Sequence, residues 1–310
     1  MAQAGWRGWV LVIWLVAAAA MLGWKWGAIH GFALSDTDDN MRMSQVRAWL
    51  NGQAWFDLRQ HKLDPLHGGA NIHWSRLVDL PIAGIVLAVK PFFGGAIAER
   101  AAAALAPLLP LGLALGAAGF TVRRLVAPAS YALACAILLC APTAILMYMP
   151  LRIDHHGWQL ALLLLSVAAV ADGERVRGGV VLGLSGALSL AIGLEMMPYI
   201  ALLAGLTTLR WVANRDEAPR LATYGASLAA GAGLGYAAFA SWDNRGLTCD
   251  VLSPVWLSVA LAGGGLLVAL SFVRARSPWA RAACGVAVAA LVAGGFALVW
   301  PECLGRPERV

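Results

Sequence analysis

Leu80-Pro81-Ile82-Ala83-Gly84-Ile85-Val86-Leu87-Ala88-Val89-Lys90-Pro91-Phe92-Phe93-Gly94-Gly95 is the stretch on which the topology turns. It is apolar, yet shorter than the roughly 20 residues that cross a bilayer core, and it carries Lys90 and Pro91. Apolar runs that can span lie near 8–26, 101–122, 130–149, 157–171, 178–194, 199–211, 221–240, 255–273 and 279–300. Parity decides the ambiguous run. If 80–95 crosses, the basic turns at 123–124, 174–177, 210–220 and 274–281 fall on the side opposite Arg7. If it lies along the interface, all of them share the side of Arg7, as the positive-inside rule requires. The second option predicts an all-α polytopic membrane protein of about nine transmembrane helices, amino terminus in the cytoplasm and carboxyl terminus outside. Residues 1–310 then form a single transmembrane domain, and its long first outer loop, 27–100, contains an interfacial or re-entrant helix at 80–95.

Composition points the same way. Hydrophobic residues make up 60% and charged residues 13% of the 310, against about 45–50% and 25% in soluble domains. A water-soluble enzyme could not hide that much apolar surface, and disorder is excluded with it. The net charge of +6 is spread without a basic block, so no nucleic-acid partner is expected. The apolar run Val10–Leu22 ends in Gly-Trp-Lys-Trp with no small-residue cleavage site, so it reads as a retained helix with Trp24 and Trp26 as interfacial anchors. Five cysteines without a C-x-x-C pair carry no zinc or thioredoxin-like motif. The glycines of 221–240 (Gly225, Gly231, Gly233, Gly235) permit close helix approach, but small-xxx-small is too common here to mark any one contact.

By this topology all six histidines fall outside. Two outer stretches concentrate polar chemistry. The first reads Ser35-Asp36-Thr37-Asp38-Asp39-Asn40 and runs into Met41–Leu50. Met43, Val46, Trp49 and Leu50 recur at helical spacing, which predicts an amphipathic helix lying on the bilayer. Its acids either cap that helix or, as a D-x-D pair, hold a hard cation such as Mg²⁺ or Mn²⁺. The second reads Arg152-Ile153-Asp154-His155-His156-Gly157-Trp158. So many ionisable groups at a membrane boundary are costly and point to function. The plain alternative is a hydrated turn in which Arg152 and Asp154 pair.

Together these stretches resemble the amino-terminal half of the catalytic subunit of oligosaccharyltransferase and related GT-C glycosyltransferases. Asp38 and Arg47-Ala-Trp-Leu stand where that family has its first-loop aspartate and its arginine-bearing helix. Asp154 and His156 stand where it has an aspartate followed two positions on by an acid, here replaced by histidine. The segment Trp55-Phe56-Asp57 through His73-Trp74-Ser75-Arg76-Leu77-Val78-Asp79-Leu80-Pro81 is similar to a bacterial branch. The resemblance implies a GT-C-like fold without the family's carboxyl-terminal outer domain. It also implies metal-dependent transfer of a sugar from a polyprenyl-phosphate or polyprenyl-pyrophosphate donor at the periplasmic face of a bacterial inner membrane. Asp38 and Asp154 would be catalytic. Asp36, Asp38, Asp154 and His156 would be the metal ligands, with Asp39 a further choice, and Arg152 and His155 would meet the substrate phosphate. The acceptor is open. A non-catalytic or partner-dependent fragment that binds a lipid-linked sugar, or a transporter or flippase component, is the rival reading. Cys249 and Cys303 both fall on the oxidising side in polar stretches and would pair if their Cα atoms come within about 4.4–6.8 Å, or else remain two thiols.

Overall fold

A computed structural model describes residues 5–305. The chain divides into two compact units, residues 1–72 with 76–164, and residues 73–75 with 165–310; the division falls inside one helix, His156–Ala171.

The first unit opens with α1 (Trp6–Trp24) and the short α2 (Trp26–Gly31). Phe32 ends α2 in the left-handed conformation, and α3 (Thr37–Leu50) follows. A loop carries the two-residue strands β1 (Arg59–Gln60) and β2 (Ala70–Asn71), paired antiparallel. Then come α4 (Asp79–Phe93), α5 (Gly95–Leu105), α6 (Leu108–Leu125), α7 (Tyr131–Cys140) and α8 (Pro142–Leu146), leading to α9 (His156–Ala171). Gly94, with φ of 79°, makes the one-residue turn that folds α5 back on α4. Ile82, Ala83 and Val86 then bury against Ala98, Ala102 and Ala103. Small alanines on one partner and branched residues on the other let the two helices approach closely.

The second unit contains α10 (Arg175–Ile192), α11 (Met197–Ala213), α12 (Ala218–Phe239), α13 (Pro254–Ser271) and α14 (Pro278–Val299). Its core gathers Leu182, Trp211, Leu221, Tyr224 and Leu267. Glycine is used where backbones meet. A Cβ on Gly264 would sit 2.5 Å from the carbonyl oxygen of Gly225, so α12 and α13 touch backbone to backbone there. Gly233, on the same helix, has open space around it.

Among the described residues, five helical stretches are long and apolar enough to cross a membrane: Trp6–Trp24, Gly95–Leu125, Arg175–Ile192, Pro254–Ser271 and Pro278–Val299. The other spans expected from sequence coincide with shorter helices, α7, α9 and α11, and with α12, whose apolar run is diluted by glycine, serine, threonine and tyrosine. Two expectations need correction. The third expected span, 130–149, is broken: Ala141 is extended ahead of Pro142, because the proline ring disfavours the helical conformation for the residue before it. Helix α3 does not present a purely apolar face to a bilayer. Asp39, Arg42 and Gln45 are buried along with Met43 and Val46, since the face turned inward is the one that meets charged partners from α4 and from the segment after α8.

Candidate functional site

The site lies in the first unit and is built on the start of α3. Asp36 is the N-cap: its Oδ1 accepts from the backbone N–H groups of Asp38 (3.0 Å) and Asp39 (3.1 Å). Asp39 returns the bond, its Oδ2 accepting from Asp36 N–H at 3.2 Å. This reciprocal capping box fixes which way each acid points. Asp39, at the third helical position, turns inward and is fully buried. Its Oδ1 accepts from Ile153 N–H (2.7 Å) and Asp154 N–H (3.0 Å), tying the helix start to the segment after α8.

That segment is held in an unusual shape. Leu151, buried, adopts a positive φ of 79°, and its N–H donates to Ala103 O at 2.8 Å. A non-glycine residue there is strained, and such strain clusters at functional sites. A Cβ on Gly157 would lie 2.6 Å from Met147 O, so only glycine lets the start of α9 pass this close to the end of α8. Asp154 Oδ1 accepts from His156 N–H at 3.0 Å, capping α9 as Asp36 caps α3.

Three carboxylates therefore converge. Oxygen atoms of Asp36, Asp39 and Asp154 all lie within 4.8 Å of one another. Arg152 stands among them, bonded to Asp36 through Nη1, 2.7 Å from Asp154 Oδ2 and 4.0 Å from Asp39 Oδ2. His156 Nδ1 is 3.2 Å from Asp154 Oδ2, with a side chain 37% exposed. Beneath, His155 is buried and stacks on His156 with ring centroids 4.4 Å apart. Its Nδ1 faces Arg42 Nη2 at 3.5 Å. Arg42 donates to Asp79 Oδ1 at 3.0 Å, and Arg76 approaches the other oxygen at 3.4 Å while binding the carbonyls of Trp55 and Asp57. Removing one partner of so buried a pair costs about 3–5 kcal/mol.

The electrostatics are unbalanced. Burial and the neighbouring charges of Asp154 and Asp36 push Asp39 up to about 7, against the pull of Arg152 and the Ile153 amide. Burial also disfavours charge on Asp154, but His156 and Arg152 outweigh it and hold that carboxyl below its usual range. Asp36 is likewise lowered, its partial burial overcome by the Asp39 amide and Arg152. One guanidinium does not neutralise three carboxylates. The surplus is carried by a proton on Asp39 near neutral pH, and a small hard cation could replace that proton. Donor type fits such a cation. Arg152 is its competitor for the same oxygens.

No family model and no curated protein sequence matches the chain. Solved structures do. The oligosaccharyltransferase of Archaeoglobus fulgidus in its apo form superposes with a TM-score of 0.68 at 16% identity, covering 97% of this chain and 38% of that one. The chain shares its fold with an oligosaccharyltransferase. The same archaeal protein, AglB, in complex with an inhibitory peptide and a dolichol-phosphate, gives a TM-score of 0.67 at 16% identity, covering 98% of this chain and 38% of AglB. This chain thus spans well under half the length of the oligosaccharyltransferase it matches, and the likeness seen in the sequence motifs holds for the fold.

Within that fold, Asp36 and Asp154 come together, with His156 beside them. Asp38 does not join them; Asp39 takes that place. One residue is about 100° around a helix, so once the capping box turns Asp39 inward, Asp38 points elsewhere. Arg152 sits inside the carboxylate group, and His155 is buried against Arg42. Arg42, Arg76 and Asp79 join the site from outside the two polar motifs, Ser35–Asn40 and Arg152–Trp158. A signal existed: Asp39, Arg42, Met43 and Val46 follow i, i+3, i+4, i+7 spacing, one helix face on which charged and apolar residues mix. Cys249 and Cys303, in the second unit, form a disulfide with Cα atoms 5.4 Å apart.

Proposed function

We propose that this chain is a membrane glycosyltransferase, taking a sugar from a polyprenyl-phosphate or polyprenyl-pyrophosphate carrier and passing it to an acceptor at the outer face of a bacterial inner membrane. The observation that supports it is the convergence of Asp36, Asp39 and Asp154 around Arg152, in a fold shared with an oligosaccharyltransferase. AglB is found in complex with a dolichol-phosphate and an inhibitory peptide, and a lipid phosphate is the kind of carrier this reading calls for. In this reading Asp36, Asp39 and Asp154 would hold Mg²⁺ or Mn²⁺, with His156 in reach of Asp154. The ion, when bound, would supply positive charge to neutralise the departing lipid phosphate.

The chain's own residues do the rest. Asp154 orients the acceptor through the face of its carboxylate not used to cap α9. Arg152, which stands among these carboxylates, would present its guanidinium fork to the donor phosphate. Arg42, Asp79 and His155 are positioning residues that hold the turn rigid from below. A second reading, a lipid-linked-sugar binder without metal, is favoured by Arg152 already standing among the carboxylates.

The full chain in proteoliposomes, given a radiolabelled polyprenyl-phosphate sugar and a membrane extract as acceptor source, separates these readings. Mn²⁺-dependent loss of label from the lipid, abolished in Asp154→Asn with Mn²⁺ binding weakened in parallel, is the expected result. Donor binding without turnover, and Mn²⁺ affinity equal in wild type and variant, would sink the transferase reading and leave the binder.

A further inference from the structure

Many of the described arginines have partners within the fold, whereas a group of three in the first unit stands apart. Arg210, Arg220 and Arg281 donate to helix-end carbonyls, and Arg175 and Arg177 pair with acids. Arg7 at the start of α1, and Arg123 and Arg124 at the end of α6, meet no acid among the described residues. They line a groove of about 410 Å³ with Trp6, Phe120, Val126, Ala127 and Pro128. Trp6 packs against Phe120 at 6.4 Å between centroids and lies under two of the cations, Arg7 at 5.7 Å and Arg123 at 5.4 Å. A cation over a ring uses the face of the guanidinium and leaves its N–H edge to donate elsewhere. Arg123 Nη1 is buried in the groove without a hydrogen-bond partner. A buried donor of that kind is costly unless something accepts from it.

We propose that this groove binds the phosphate of an anionic lipid headgroup, with Arg7, Arg123 and Arg124 as ligands and Trp6 and Phe120 as the apolar wall. The ligand is identified by its chemistry. Three cations with no acid among them call for an anion, and the planar guanidinium edge suits phosphate oxygens. Position identifies the source. Trp6–Trp24 and Gly95–Leu125 are both long and apolar enough to cross a membrane, so a groove at their ends lies at headgroup depth. It is also separate from the acidic site. Pro107 and Pro110, at the start of α6, line a small cavity with Arg152 and Asp154, whereas Arg123 lies at the other end of that helix, roughly 25 Å away at 1.5 Å per residue.

Native mass spectrometry of the full chain in detergent, titrated with phosphatidylglycerol or phosphatidylcholine, tests it. At about fivefold per arginine, the first phosphatidylglycerol should bind about a hundredfold tighter than phosphatidylcholine, and Arg123→Gln/Arg124→Gln should lose about 25-fold. Arg274→Gln/Arg276→Gln makes the same charge change in another basic turn and should leave that affinity unchanged. Equal losses in the two double variants would overturn the groove in favour of diffuse surface charge. Displacement of the lipid by millimolar inorganic phosphate would overturn the lipid as the ligand. Should Arg123→Gln/Arg124→Gln not fold, Arg7→Gln, at an exposed position, carries the test with an expected fivefold loss. Wild type binding both lipids equally would refute the proposal outright.

Discussion

Two ionic clusters in this protein use the same residue types to opposite ends. In the second unit, Glu217 accepts from Arg220 (2.7 Å), Arg175 (3.2 Å) and Arg210 (3.4 Å), while Asp172 takes a two-pronged contact from Arg177 at 2.7 and 2.8 Å. The excess of guanidinium is absorbed by the carbonyls of Ala169, Val170 and Asp172 at the end of α9. The last carbonyls of a helix lack the usual amide four residues on and carry its negative pole, so cations there are stabilised twice. Burial would raise Glu217, but its arginines hold it below its usual range. The cluster is closed. In the first unit the excess is negative, and burial with the charges of Asp154 and Asp36 pushes Asp39 up to about 7 despite the amides that donate to it. A closed cluster is a clasp; the open one is the candidate site.

The largest effect should come from the closed cluster. Arg220→Ala strips Glu217 and helix-end carbonyls of a fully buried partner, and should cost about 3–5 kcal/mol, read as a large fall in melting temperature in detergent. A drop no greater than that of an exposed arginine would mean the cluster is not a clasp. In the open cluster, the effect should fall on binding instead. Asp39→Asn and Asp154→Asn should each weaken Mn²⁺, followed by electron paramagnetic resonance, by at least about a hundredfold, the upper range for losing even an outer partner of a metal site. Asp39→Asn should also lower the melting temperature slightly, because its amide nitrogen cannot accept from Asp36 N–H as Oδ2 does, a lost capping contact worth about 0.5–2 kcal/mol.

A smaller effect sharpens the point through pH. Asp39 is raised above its ordinary value of 3.8, so its contribution to stability is fully present below 3.8 and is lost as pH rises through about 7. A cation must displace its proton. Mn²⁺ affinity should therefore climb by about tenfold per pH unit up to neutrality and level off above it, with a proton released on binding. A flat profile between pH 5 and pH 8, in the range the Asp39 value of about 7 governs, would remove Asp39 from the site. The smallest change belongs to Asp38→Ala. It takes one acid from the first turn of α3, worth under about 1 kcal/mol, and should leave Mn²⁺ affinity within twofold or so of wild type. If Asp38→Ala instead abolishes binding, the roles of the two neighbours are reversed.

The membrane character, the helical architecture and the two polar stretches that meet at the site are legible in the amino-acid order. They depend on local rules: the length of an apolar run, and ionisable residues placed where they are expensive. The capping spacing Asp36-x-x-Asp39 was legible too, and read on its own it would have favoured Asp39 over Asp38 as the inward acid. What the chain order could not decide is which charges face one another. Arg152 reads as a phosphate ligand or as a partner of Asp154, and the fold sets it among three carboxylates; the arginines at 210, 220 and 281 read as topology signals, and the fold shows them closing helix ends as well. Partners such as Arg42 with Asp79, or Asp39 with the amides of Ile153 and Asp154, lie far apart in sequence. Their pairing follows from backbone geometry, a strained Leu151 and a glycine at 157, that brings distant segments to hydrogen-bonding distance. Hydropathy is a property of each residue, but charge balance is a property of an assembled neighbourhood, and only the tertiary structure assembles it.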